Sequence, residues 1–403
     1  MRYPLLAFLT FLNVLNFVDR QLIPSLAPKL IADLGLSRAD IGLLYGYVFL
    51  VFYTVMGMTL GPASDRFHRP RLICAGLAVW SLMTALSGYA RNFTELAAAR
   101  MLVGVGEATL TPAALSLLAQ AFPSRQLAFA SGCYYMGVPL GAGASMIISG
   151  WLAPEYGWRA CFQILGVAGL AVAPLLLFLP DRPHQKKESA PLPAAEIIRT
   201  LTASLRANPA VLFTIAGATL LNYAVSSTIH VLTWITQERG VPFQTAAYLN
   251  GGIYTVAGML GTALGGILSD RFHRRYRGGR LWFLIVKAAV FLPFTLIFYT
   301  TPFNSTWYLA IWFLTSFGST MWYGPVFATV QDLLPERIRA TAVAFLLLTI
   351  NLLGTGPGPW ITGMLGDRIG LQAALLMAAA VGFAASLPFY LAVRRLGAPP
   401  TSL

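Results

Sequence analysis

Five ionisable side chains stand where the surrounding sequence is apolar: Asp19 and Arg20, Arg100 and Glu107, and Lys287. Inside hydrocarbon such a charge costs about 2.5 kcal/mol or more, so each one argues for a task. Carboxylates in such places carry protons or answer cations, and arginines answer anions. Arg100 and Glu107 are seven residues apart, which is two turns of one helix face, and Thr111 continues that face. Asn13, Asn16 and Arg20 form a second polar face on an earlier helix. Two such faces at one depth would line a wet site. The expected arrangement pairs Asp19 with Arg100 and leaves Glu107 as the proton-carrying carboxylate, with Arg20, Asn16 and Thr111 beside them. An apolar environment favours the neutral form of a carboxyl group and a nearby arginine favours its charged form. An anion that engages the arginine would therefore alter the carboxylate's hold on its proton and couple two fluxes. The alternative is that these charges only lock helices one and four together. His230, spaced by fours with Asn222 and Ser226, extends a further polar stripe that suits either site or packing. Lys287 lies near the inner end of its apolar run, where its stem can carry the charge to water.

The elements that hold these residues must be membrane helices. Of 403 residues 57% are hydrophobic and 11% charged, which does not suit a water-exposed surface. Crossing a hydrocarbon core of about 30 Å takes roughly 20 residues of helix. Twelve such spans can be read, at 4–28, 40–63, 71–90, 95–121, 127–151 and 160–180, then at 209–236, 244–269, 281–300, 306–333, 339–363 and 370–393. At about 1.5 Å per residue, Asp19 lies some 21 Å from the inner edge, level with Arg100, and Glu107 lies near the middle. The formal charge of +13 is dispersed among breaks in the apolar runs, with no clustered face for nucleic acid. Three cysteines, Cys74, Cys133 and Cys161, are all within apolar runs and offer neither a disulfide framework nor a metal site. Asp19-Arg20 interrupts the first apolar stretch, and no small-residue cleavage site follows it.

Lys and Arg concentrate on cytoplasmic loops, and most of them fall on one side if the N-terminus is cytoplasmic. Both termini are then cytoplasmic, in a cell (inner) membrane protein. The hexapeptide Ser64-Asp65-Arg66-Phe67-His68-Arg69 returns as Ser269-Asp270-Arg271-Phe272-His273-Arg274, each copy with a glycine four residues before its aspartate, Gly61 and Gly266. Pro123-Ser124-Arg125 likewise returns as Pro335-Glu336-Arg337. The chain therefore divides into a six-helix half at 1–180, a charged, proline-rich linker at 181–208 with a surface helix over 194–206, and a second six-helix half at 209–403. Parallel repeats of this kind suggest a transporter working by alternating access about a site near the midplane. Gly61, Asp65, Arg66 and Arg69 in one half, and Asp270, Arg271 and Arg274 in the other, would form the inner gate. Asp65 there would face the positive end of the eleventh span. No nucleophile with a base, no metal cluster and no selectivity filter is present in the sequence, so an enzyme or a channel is not expected.

The whole chain resembles the major facilitator superfamily: Gly61-x-x-x-Asp65-Arg66-x-x-Arg69 its loop motif between helices two and three, Arg100-x-x-x-Gly104-x-Gly106 its helix-four motif, and Gly137-x-Pro139-x-Gly141 its helix-five motif. Within it, Asn16-x-x-Asp19-Arg20, Glu107-Ala108 and Gly157-Trp158-Arg159 are similar to the spinster-like branch. That resemblance implies an all-α fold of twelve helices and proton-linked transport of amphipathic anionic lipids such as lysophospholipids or sphingosine 1-phosphate, with the helix-one aspartate and helix-four glutamate central. It implies no cofactor or metal, and the chain is expected to act as a monomer among membrane lipids. Gln120 stands where the pattern has an acidic residue. The helix-one motif also resembles that of organic anion symporters, which leaves a small organic anion as the alternative substrate.

Overall fold

The structure is a computed structural model that describes residues 2–63, 68–179 and 194–396. Asp65 and Arg66 of the expected gate lie outside the described residues. Every regular element among the described residues is helical. The first half contains α1 (Arg2–Arg20), α2 (Leu22–Leu34), α3 (Arg38–Tyr45), α4 (Tyr47–Ala63), α5 (Arg69–Ser87), α6 (Phe93–Glu107), α7 (Leu110–Ala121), α8 (Ser124–Tyr135) and α9 (Gly137–Val172). A connecting helix, α10 (Ala194–Ala207), forms where the sequence predicts one within the linker. The second half contains α11 (Pro209–Ser227), α12 (Val231–Gln237), α13 (Phe243–Arg275), α14 (Gly279–Thr300), α15 (Tyr308–Thr320), α16 (Tyr323–Asp332), α17 (Arg339–Ile350), α18 (Pro357–Ile369), α19 (Leu371–Ala384) and α20 (Ser386–Arg395).

These helices pair end to end into twelve crossings. Ten stretches are long and apolar enough on their own, from Arg2–Leu34 to Leu371–Arg395. One of them, Arg125–Phe178, has 54 residues and is bent at Gly157, whose φ of 79° no other residue type adopts cheaply. The loop expected between the fifth and sixth spans is thus a one-residue kink. The α15–α16 pair supplies the remaining crossing.

Proline explains where five of the crossings break. Its ring clashes with the carbonyl four residues earlier and its nitrogen cannot donate. Pro24 lies four residues after Arg20, where α1 ends, and Pro112 four after Ala108, where α6 has just ended. Pro139 acts on Tyr135, Pro325 on Met321 and Pro388 on Ala384, each at a junction between two helices. Asp19, Arg20 and Glu107 therefore all occupy the last turn before a proline break.

The chain forms two compact units, one of residues 1–186 with 229–255 and one of 187–228 with 256–403. The boundary thus runs inside the seventh and eighth crossings. Unit 1 has two apolar cores. One gathers Leu6, Leu9, Leu12, Leu77, Trp80, Val103 and Leu110, the other Leu22, Leu26, Leu44, Leu96, Trp158 and Phe162. Along α1–α2 Asp19 and Arg20 fall between these two cores, as Arg100 does along α6. Unit 2 has one continuous core, from Leu201 to Ala392.

Candidate functional site

The charged layer of unit 1 is built from α1, α4, α5 and α6. Gly104 and Gly106 let α6 approach both neighbours. A Cβ on Gly104 would lie 2.8 Å from the Phe49 carbonyl oxygen of α4, and one on Gly106 would lie 2.7 Å from the Gly76 carbonyl of α5. The spacing of this glycine pair thus brings Phe49, Tyr53 and Thr84 to the level of Arg100 and Glu107.

Two ion pairs result. Arg20 donates to Oε2 of Glu107 twice, from Nη2 at 2.7 Å and from Nε at 3.0 Å. The Glu107 side chain has no exposed surface, and its Oε1 has no hydrogen-bond partner. A carboxylate at the C-terminal end of a helix faces the negative end of the helix dipole, and Arg20 offsets that penalty. The Arg20 guanidinium also lies over three aromatic rings, 4.8 Å from the centroid of Phe17, 4.7 Å from Phe49 and 4.6 Å from Tyr53.

Asp19 takes a different pair of partners. Thr84 Oγ1 donates to its Oδ2 at 2.5 Å, while Arg100 Nη1 stands 3.9 Å from its Oδ1. Arg100 is 1% exposed, and none of its three side-chain nitrogens makes a hydrogen bond. Its remaining contact of note is with Phe49, 5.2 Å from the ring centroid. Phe49 thus touches both guanidiniums. A buried arginine with an empty set of donors is poised to accept an anion, because an unpaired buried donor carries its full desolvation cost.

The other expected residues are distributed around this layer. Asn16 is buried with Nδ2 unpaired, whereas Asn13 donates to the Tyr134 carbonyl at 2.8 Å. Thr111 meets the Tyr134 hydroxyl at 3.2 Å. His230 is buried in the 3-10 turn Thr228–His230 that joins α11 to α12. Its stripe-mate Asn222 is committed to the Ile350 carbonyl at 2.7 Å and to Thr355 Oγ1 at 2.6 Å. Lys287 is buried in α14 of unit 2.

Among the gate residues, Gly61 lies in α4 and Arg69 begins α5. With its carboxamide oxygen turned towards Arg69, Gln120 accepts from both terminal nitrogens of that guanidinium, Nη2 at 3.1 Å. In unit 2, Arg280 holds Asp270 at 3.0 Å and also pairs with Asp332. Arg271 and Arg274 are exposed on the last turns of α13.

Sequence reasoning missed Thr84, Tyr53 and Arg280. Thr84 did leave a signal: Ser81, Thr84 and Ser87 recur every third residue of α5 and all three are buried. Tyr53 follows Phe49 by one turn, and the two rings stack at 5.4 Å.

Residues 9–359 match the Major Facilitator Superfamily. The chain is 30% identical to an "MFS-type efflux pump" of Mycolicibacterium smegmatis over 96% of its own length and 91% of the relative's. It is 28% identical to the "Hexuronate transporter" of Bacillus subtilis, over 99% and 96% of the two chains. Among solved structures, a bacterial homologue of the human lysosomal transporter Spinster, inward-facing and unoccupied, superposes with a TM-score of 0.86 at 25% identity, covering 98% of this chain and 97% of that one.

Proposed function

The chain belongs to the major facilitator superfamily, and we propose that within it this transporter moves an amphipathic anionic lipid, a lysophospholipid or a sphingosine-phosphate-like molecule, in exchange for or together with protons. The observation that carries this reading is Arg100: buried, facing Asp19 at 3.9 Å, and with no hydrogen bond on any side-chain nitrogen. A phosphate oxygen is the natural occupant of such a fork. Its arrival would draw Arg100 away from Asp19 and add negative charge beside the Arg20–Glu107 pair, which favours proton uptake by a carboxylate of the layer. Release of the anion reverses the exchange. Phe49 and Tyr53 give the site an aromatic wall beside both arginines, and the spinster likeness supports an amphipathic cargo. Asn16, Thr111 and His230 are assigned to the polar lining.

A second reading, proton-linked symport of a small organic anion, is favoured by the likeness to the hexuronate transporter. The same arginine would bind a carboxylate. In either case we place the protein in the cell's inner membrane as a monomer with cytoplasmic termini, with the Gly61–Arg69 and Asp270–Arg274 segments gating its inner end and 181–208 linking two six-helix halves.

Purified protein in proteoliposomes under an imposed pH gradient tests the proposal. Wild type should accumulate a lysophospholipid and Glu107→Gln should equilibrate it without concentrating it. Concentrative uptake by Glu107→Gln overturns the assigned coupling. Uptake of a hexuronate with indifference to lysolipid selects the second reading.

A further inference from the structure

One end of unit 2 carries a cavity that the transport chemistry does not use. Its volume is about 530 Å³, within the about 300–1,000 Å³ usual for small-molecule sites. Three arginines from separate segments line it: Arg277 in the turn between α13 and α14, Arg280 in the first turn of α14, and Arg395 at the end of α20. Arg280 is already answered by Asp270 and Asp332. Arg277 and Arg395 are exposed and have neither ion pair nor hydrogen bond among the described residues.

The rest of the lining fits a headgroup with an apolar continuation. Leu281, Leu333 and Leu396 supply apolar surface. Asn208, also lining the cavity, spends its carboxamide oxygen on capping Ala210 and keeps its NH₂ group to donate. The turn that presents Arg277 depends on Gly278 at φ 61°, where a Cβ would stand 2.9 Å from Leu396 Cδ1. Helix α10 ends at the cavity: Leu201 and Leu205 join the core of unit 2, while Arg199 and Arg206 remain exposed.

We propose that this cavity binds a phosphate group, held between Arg277 and Arg395, and that in the membrane the phosphate is the headgroup of an anionic phospholipid of the adjoining leaflet. Guanidinium groups recognise phosphate through paired, charge-assisted hydrogen bonds, and basic pockets among helices at the cytoplasmic surface suit anionic headgroups. The site is separate from the charged layer of unit 1. The bound phosphate would share Arg280 with Asp270 and Asp332, so occupancy and that ion network depend on each other. The inference rests on the sidedness proposed above only for which leaflet supplies the lipid.

The full-length protein in detergent, offered equal amounts of phosphatidylglycerol and phosphatidylcholine, tests the site by native mass spectrometry. Phosphatidylglycerol should be retained selectively, and Arg277→Gln/Arg395→Gln should lose that retention by roughly thirtyfold, on the scale of two surface arginines. Arg394→Gln, next in sequence but outside the cavity lining, should keep it. A parallel arm adds inorganic phosphate to lipid-free protein and follows the melting temperature. A rise in wild type that the double variant lacks, without lipid selectivity, assigns the site to a soluble phosphate. Equal lipid retention and no phosphate response in wild type and double variant overturn the proposal. Transport is not read in either arm, so failure of the transport reading would leave this result standing.

Discussion

The two repeats answer the same structural positions with different chemistry. Asn13 and Asn222 each donate to a carbonyl of a later crossing, Tyr134 and Ile350, so they register the first crossing on the seventh. In that register Thr228 and Ile229 stand in the places of Asp19 and Arg20. Counting back from Pro123 and from Pro335 puts Trp312 in the place of Arg100 and Ser319 in that of Glu107. Trp312 is buried beside Phe298, centroids 5.5 Å apart, and Ser319 bonds within its own helix to the Ser316 carbonyl at 2.7 Å. One repeat stores charge at this level while the other fills it with aromatic packing and local bonds. At the other end of the repeats the contrast reverses. Neutral Gln120 faces Arg69 in the first half, and Asp332 stands in its place beside Arg280 in the second. Duplication supplied the scaffold twice, but each half kept ionic chemistry at a different level.

The strongest test of this contrast is to strand one charge. Arg20→Ala leaves Glu107 buried and unpaired, and should cost about 3–5 kcal/mol of stability. Arg20→Ala/Glu107→Ala should recover part of it in thermal unfolding of the detergent-solubilised protein. At the second-half counterpart of Glu107, Ser319→Ala should stay within about 0.5 kcal/mol. Comparable losses at both places would dissolve the comparison. Thr84→Val removes the donor to Asp19 and should cost about 1.5–3 kcal/mol, the scale of hydrogen bonds to charged groups, with substrate affinity changed alongside. An unaltered melting point and affinity would show that Thr84 is only a neighbour. The smallest effect should be a gain. Gln120→Glu turns the charge-assisted Arg69 contact into an ion pair and should raise stability by about 1 kcal/mol, the upper end for a partly exposed pair. A loss would mean that Gln120 is kept for a reason other than this contact.

Much of the fold was legible because membrane crossing leaves a coarse signature: long apolar runs, basic loops and a repeated hexapeptide. The breaks within crossings were less visible, although Pro24, Pro112, Pro139, Pro325 and Pro388 each marked one. Asp19, Arg20, Arg100 and Glu107 stood out because charge is conspicuous among leucines. How they are partnered was not legible. Depth counting puts Asp19 level with Arg100, and the two are 3.9 Å apart. Yet it treats every side chain as ending at its Cα level, so it gave no reason to join Arg20 to Glu107, whose contact depends on a long side chain at the end of α1. Thr84 escaped notice because a hydroxyl in an apolar helix ordinarily bonds its own backbone, as Thr214 and Thr329 do here. The Arg280 network depends on a turn at Gly278 that repetition of the hexapeptide does not reveal.

Where the chain passes from one compact unit to the other has a mechanical consequence. Besides the linker, it crosses at Thr228–Ile229 and Thr255–Val256, inside helical stretches instead of in loops. A loop absorbs displacement with little resistance, whereas a helix resists bending and passes torque along its axis. Helix α13 runs unbroken through its crossing point for 33 residues, so no loop there takes up displacement. At the other point the chain crosses within the 3-10 turn Thr228–His230, so neither passage is a loop.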